Sequence, residues 1–165
     1  KIHKRSSINS NSFASTEDVI NEILNDYKSI NFDDALLYLI QCTSPFLEPR
    51  DLQKSKNMIF DKKSCSHSLL SGYLTSKFIW ESKTNSQFWD SKNYDPLCRP
   101  RSQDSSEYFV ENGAFYVFST HNYKISKCRL HGNVDIFPMD ELRSIDIDYE
   151  RDLEFSRHLF NFLYP

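Results

Sequence analysis

With 165 residues, 39% of them hydrophobic and 15% aromatic, the chain can bury one compact core but not two ordinary domains, so residues 1–165 are expected to form a single domain. A net charge of −3, with basic residues scattered among acidic ones, excludes a general nucleic-acid surface. No apolar run approaches the roughly 18 residues of a membrane span, and the opening KIHKR lacks the apolar segment of a signal peptide.

Ser15 and Thr16 precede Glu17, Asp18 and the apolar positions Val19, Ile20, Ile23 and Leu24, a pattern that predicts a capped amphipathic helix over about residues 16–28. Free N–H groups at such a start favour an anionic or polar ligand, so capping and binding can coexist there. ALLYLI is a continuous apolar run of strand length and predicts a central strand covered on both faces. Its carboxyl end delivers Gln41, Cys42, Thr43, Ser44 and Pro45, at the edge where open α/β sheets bind ligands. The plainer reading of Gln41 is a turn residue. Asp51 is expected to cap a second helix running through Ile59.

Residues 61–98 are less legible. A strand is expected around Leu69–Leu74, Phe78 and Trp80 read first as interface or core aromatics, and a loop with Trp89, Tyr94 and Pro96 leads into a basic run. That run places Arg99 and Arg101 two residues apart, with Gln103 and Asp104 just behind and an Asn112-Gly113 turn opening a strand over residues 114–118. Guanidinium forks match carboxylate and phosphate oxygens, and a glycine lets the backbone approach a ligand closely. The plainer readings are a surface pair in weak ion pairs and a simple tight turn.

From Thr120 to Met139 an irregular connection and then a strand, VDIFPM, are expected, with Pro138 near its end. Asp146 and Asp148 alternate with Ile145 and Ile147. In a strand both carboxylates would face one way, roughly 6–7 Å apart, and so invite a hard divalent cation such as Mg2+. Asp148 also suits the cap of a last helix, residues 149–163, with Leu153, Leu159 and Leu163 facing the core. The four cysteines and five histidines have no metal or catalytic spacing, and three glycines are too few for a phosphate loop.

Five segments in this order resemble the CMP-sialic acid synthetases, the acylneuraminate cytidylyltransferases. They are Arg5 and Ser6 followed by Ala14, Ser15 and Thr16; Leu39 to Pro45; the run Arg99 to Asp104; Glu111 to Tyr116; and Ser144 to Asp148. The absence of an arginine at Val110 fits the animal-type pattern. Where Ile8 and Ser12 stand, family members often carry an acidic residue.

The resemblance implies an α/β fold, a Rossmann-like nucleotidyltransferase domain with a mostly parallel sheet. The family's first βαβ unit, with its Gly-rich CTP-phosphate loop, has no counterpart in these residues. Either that portion lies outside them or the product is short, and little turnover is expected of the piece alone. The implied reaction joins CTP and N-acetylneuraminate to give CMP-N-acetylneuraminate and diphosphate, with Mg2+. Arg99, Asp146 and Asp148 would be catalytic, the two aspartates as metal ligands. Arg5, Ala14, Ser15 and Thr16 would bind on the cytidine side, and Gln41, Arg101, Gln103, Asn112 and Gly113 would complete the substrate site. A β-rich dimerisation insertion is expected at about residues 65–98, hence a homo-oligomer, and animal members point to nucleus or Golgi. The alternatives are a non-catalytic assembly subunit and a cytidylyltransferase for a related sugar acid, KDN or KDO.

Overall fold

The protein's computed structural model describes residues 2–27, 35–61, 66–84 and 87–165. Helix α1 (Thr16–Asp26) starts where its sequence predicts. The Ser15 hydroxyl accepts the Asp18 N–H at 3.1 Å and the Asp18 carboxylate accepts the Ser15 N–H at 2.9 Å, a reciprocal box that satisfies two otherwise orphan donors. Lys28, the last residue expected in this helix, lies outside the described residues. Strand β1 (Leu36–Ile40) is followed by helix α2 (Pro49–Asp61), which begins two residues before Asp51. Asp51 therefore sits inside the first turn, where its carboxylate accepts the Glu48 N–H at 3.0 Å.

Strand β2 (Ser66–Thr75) leads into a separate antiparallel pair, β3 (Trp80–Ser82) and β4 (Trp89–Ser91), and the chain then returns as the long strand β5 (Tyr108–Ser119). A short helix α3 (Thr120–Ser126), strand β6 (Asn133–Pro138) and helix α4 (Glu150–Leu163) complete the order. The expected irregular connection after Thr120 is in fact α3. The Ser119 hydroxyl caps it by accepting the Asn122 N–H at 3.1 Å, a local signal that the strongly apolar strand before it obscures.

The main sheet has the order β1-β5-β2-β6. It is mixed: β5 runs antiparallel to both β1 and β2, and only β2 and β6 are parallel neighbours. This corrects the mostly parallel sheet expected. Strands β1, β2 and β6 do share one direction, because α2 carries the chain back between β1 and β2 as a crossover. That crossover leaves a one-strand gap, and β5, arriving without a crossover helix, fills it in the opposite sense. As a result β1 is an edge strand, half-buried rather than central, among the described residues.

The period-2 alternation of the strands supplies a core to each face. Leu69, Phe115, Val117 and Phe137 point to the α2 side, with Leu52, Met58 and Ile59 packed against them. Leu70, Tyr116 and Phe118 point the other way, onto Ile20 of α1 and Tyr123 of α3. Each such fully buried Leu or Phe contributes about 1.5–3 kcal/mol. Helix α4 buries Ser156 and Leu159, whereas Leu153, expected in the core, is 37% exposed beside the more exposed Phe155, Phe160 and Phe162. The Asp152 carboxylate, not Asp148, accepts the Tyr149 N–H at the start of this helix, at 2.9 Å.

Gly72 lies where β2 meets β5 most closely, and a Cβ there would stand 2.7 Å from the Val110 carbonyl oxygen. Because a backbone atom cannot give way cheaply, Gly72→Ala is expected to destabilise the fold by about 1–3 kcal/mol in urea unfolding.

Candidate functional site

The site is organised by an irregularity in β5. Leu70 pairs with Tyr116 and Gly72 with Glu111, so residues 112–115 of β5 stand opposite Ser71 alone. The expected Asn112-Gly113 turn is therefore a bulge within one continuous strand. The Ser71 hydroxyl fills it, donating to Asn112 Oδ1 at 2.7 Å and accepting the Phe115 N–H at 2.9 Å. Gly113 takes φ +71°, a conformation that a side chain would strain. Asn112 is buried, with its amide engaged inside the protein. Its Oδ1 also accepts the Ala114 N–H at 3.2 Å, and its Nδ2 donates to Ser144 Oγ at 2.9 Å.

Beside the bulge opens a hollow of about 400 Å3 lined by Tyr73, Val110, Glu111, Asn112, Gly113, Tyr116, Ser144 and Asp146. Sequence reasoning gave Tyr73, Glu111, Tyr116 and Ser144 no role. Glu111 and Tyr116 stood inside a quoted motif, but only the bulge turns both toward one cavity. Tyr116 Oη donates to Glu111 Oε1. Burial, with the Glu111 hydrogen bond added, pushes the phenol's pKa up and keeps it a donor.

Residues 144–148 belong to no helix and no sheet ladder, in place of the strand expected for Ile145–Asp148. One bond, from the Ile147 N–H to the Thr43 carbonyl at 2.9 Å, ties them to the loop after β1. Arg143, just before, makes the stronger tie. Its Nη2 pairs with Asp51 Oδ2 and donates to the Phe46 carbonyl at 2.9 Å, while Nε faces Glu48 Oε1 at 3.5 Å. The side chains of Arg143 and Asp51 are only 14% and 6% exposed, so this is a largely buried ion pair. Asp146 and Asp148 are both exposed, and neither carboxylate has a hydrogen bond or ion pair among the described residues. Two unengaged anionic oxygen donors suit a hard divalent cation. Asp146 overlooks Gly113, its Oδ2 3.8 Å from where a Cβ would sit. Asp148 lines neither hollow described here.

A second hollow, of about 260 Å3, lies at the carboxyl end of β1 and gathers Arg5, Ala14, Ser15, Thr16 and Gln41. The Gln41 N–H donates to the Ala114 carbonyl at 3.1 Å, which sets this hollow next to the bulge. The segment bearing Arg5 is latched to α1 by Glu22, which accepts the Ser6 N–H at 2.8 Å, the Ser6 hydroxyl at 2.6 Å, and bonds from His3 and Asn9. The Ser6 hydroxyl and amide lower the pKa of Glu22 to about 2. His3, Glu22 and Asp26 offer ligand atoms within 4.8 Å of one another, but the Glu22 oxygens are already taken up by the latch.

Arg99, Arg101 and Gln103 lie apart from both hollows. The Arg99 guanidinium stacks 4.5 Å over the Phe78 ring, and Phe78 packs in turn on Tyr94, with centroids 4.4 Å apart. The Arg101 Nε bonds to Asp104 Oδ2 at 2.5 Å, and Gln103 is exposed. The β3–β4 pair beside them leaves Trp80, Phe88, Trp89 and Leu97 exposed. Of the strands described between residues 65 and 98, β3 and β4 stand off the main sheet, whereas β2 lies inside it.

The geometry defines an α/β protein with two adjoining hollows at the carboxyl rim of a mixed sheet, one edged by a capped helix and the other by an aspartate. No family model matches the chain. Among curated proteins it is 30% identical over 154 residues to N-acylneuraminate cytidylyltransferase A of Danio rerio and equally so to the N-acylneuraminate cytidylyltransferase of Oncorhynchus mykiss. Each match covers 92% of this chain and 34% of the relative, so the chain spans about a third of the length of these relatives. Over nearly all its residues the chain is thus similar to proteins of the CMP-sialic acid synthetase family.

Breaking the Arg143–Asp51 pair strands a buried charge, so Arg143→Met and Asp51→Asn are each expected to cost about 3–5 kcal/mol in urea unfolding, with the double variant well short of the sum. The Glu22 latch is expected to depend on pH. Because the folded carboxyl lies below its ordinary 4.5, the latch is fully present above that value and is lost as pH falls toward about 2. Protection of the Ser6 amide from hydrogen exchange should fade over that window and be absent at every pH in Glu22→Ala.

Proposed function

We propose that the complete protein activates sialic acid, joining CTP and N-acetylneuraminate to form CMP-N-acetylneuraminate and diphosphate. The observation that carries this reading is the meeting of three distant segments at one rim. Gln41 follows β1, Gly113 lies in the β5 bulge, and Asp146 follows β6, while Gln41 bonds to Ala114 and Asp146 overlooks Gly113. The carboxyl rim of an α/β sheet is where ligands collect.

In this reading the second hollow takes the nucleotide. Glu17 and Asp18 in the first turn of α1 disfavour phosphate there, so Arg5, Ala14, Ser15 and Thr16 face the base and ribose rather than the triphosphate. The hollow at the bulge takes the sugar acid. Gln41 and the backbone around Gly113 orient it, while Asn112, its amide held by Ser71 and Ser144, fixes the shape of the wall. The anomeric hydroxyl of the sugar would attack the α-phosphorus between the two hollows. Asp146 and Asp148 would hold Mg2+, which supplies charge neutralisation to the triphosphate when bound. Arg99, Arg101 and Gln103 lie apart from both hollows and enter this reading through the motif alone, as two cations and a polar group for anionic substrate.

The fold completes as a Rossmann-like nucleotidyltransferase domain in which further strands add at β1, the edge nearest the nucleotide hollow. The exposed aromatics of β3–β4 are proposed as a homo-oligomer contact.

The test is diphosphate release by the complete protein from CTP with N-acetylneuraminate and Mg2+, with KDN and KDO as competitors. Release is expected with N-acetylneuraminate, and none with any nonulosonic acid from a folded protein sinks the proposal. Asp146→Asn is expected to weaken Mn2+ binding, read by electron paramagnetic resonance, on the order of 10- to 100-fold.

A further inference from the structure

The face of the sheet toward α1 also carries an arginine, stacked on one of its core tyrosines. Arg129 follows α3 and precedes β6 in the chain, and it is half-buried between Tyr116, which lines the hollow at the bulge, and Glu17 of α1. Its guanidinium carbon stands 4.5 Å over the centre of the Tyr116 ring, and its Nη1 donates to Glu17 Oε1 at 2.5 Å. Tyr116 passes the arrangement on by donating to Glu111, which lines the hollow at the bulge. Glu17 is itself held, because the buried Tyr123 hydroxyl donates to the Glu17 carbonyl at 2.9 Å.

We propose that Arg129 is a positioning residue for the sugar-acid hollow: anchored by Glu17 at the start of α1, it fixes the Tyr116 ring and, through Tyr116, the Glu111 carboxylate. The inference rests on the function proposed above for the choice of ligand, but the contacts themselves do not.

The electrostatics give the reason for such a device. The hollow is lined by two carboxylates, Glu111 and Asp146, and would repel an acidic sugar unless one of them were turned aside or offset. The Tyr116 donation ties Glu111 to the wall, and the guanidinium behind the ring, its charge shared with Glu17 and partly shielded from water, holds that donor in place. A planar guanidinium can stack on the ring and bond to Glu17 at once, whereas a lysine can do only one of these well.

The test uses the complete protein and three variants, Arg129→Met, Arg129→Lys and Glu17→Gln. Arg129→Met is expected to raise KM for N-acetylneuraminate at least about tenfold while KM for CTP stays within about twofold. Arg129→Lys should fall between it and wild type, and Glu17→Gln should shift the same constant in the same direction by less. Equal changes in both KM values, or none, would overturn the proposal, as would a loss confined to melting temperature. A second readout needs no substrate: with tyrosines labelled at the ring Cζ, the Tyr116 resonance, assigned through Tyr116→Phe, should move in Arg129→Met and in Glu17→Gln of the ligand-free protein. An unmoved resonance in a folded Glu17→Gln rejects the inference even if Arg129→Met does not fold. Absence of turnover in wild type with the resonance shift intact would instead reject the assigned substrate and leave the positioning role standing.

Discussion

The buried pairing of Arg143 with Asp51 is the constraint on which the candidate site depends. The segment bearing Asp146 and Asp148 belongs to no ladder and no helix, so its position comes from what holds its ends. Arg143 fastens one end to the first turn of α2 through Asp51 and to the loop before it through Glu48 and the Phe46 carbonyl, and the Ile147 N–H fastens the segment again to Thr43. Tyr164, at the end of α4, joins the same cluster by donating to Glu48 at 2.7 Å. A desolvated ion pair adds little net stability, but its geometry is demanding, which suits a segment held by a few separate bonds rather than by a ladder.

The bulge in β5 does complementary work from the opposite side. A regular ladder would send Asn112 and Gly113 into ordinary strand positions, with no hollow between β5 and the chain after β6. Four residues set against Ser71 break the ladder, and Ser71 and Asn112 replace the lost backbone bonds with side-chain ones. Two short polar residues thus convert a strand into one wall of a cavity while leaving every polar group of the Asn112 side chain satisfied.

The two faces of the sheet have different parts. The α2 face carries an apolar core with Arg143 at its margin, and its contribution is to stability. The α1 face is apolar at Ile20, Leu70 and Phe118 but becomes charged toward the rim, where Glu17, Arg129, Tyr116 and Glu111 succeed one another. On that face the Arg5 segment is fastened to α1 by hydrogen bonds to Glu22, while β1 is held by its ladder with β5 and by the packing of Leu37 and Leu39.

Local patterns were enough to read α1 with its Ser15 cap, the existence of β1, β2 and β6, the apolar half of β5, and the motifs that mark Gln41, Asn112, Gly113 and Asp146. Such features depend on neighbours a few residues apart, and they are written in spacing and capping chemistry. Tertiary structure alone decided that β5 would enter between β1 and β2 and make the sheet mixed, that Asn112-Gly113 would be a bulge, and that Asp146 would lie in a tethered segment rather than a strand. It also decided the pairing of Arg143 with Asp51 and the stacking of Arg129 on Tyr116. These rest on contacts between residues far apart in the chain, and no local periodicity encodes which distant charge a buried arginine will find.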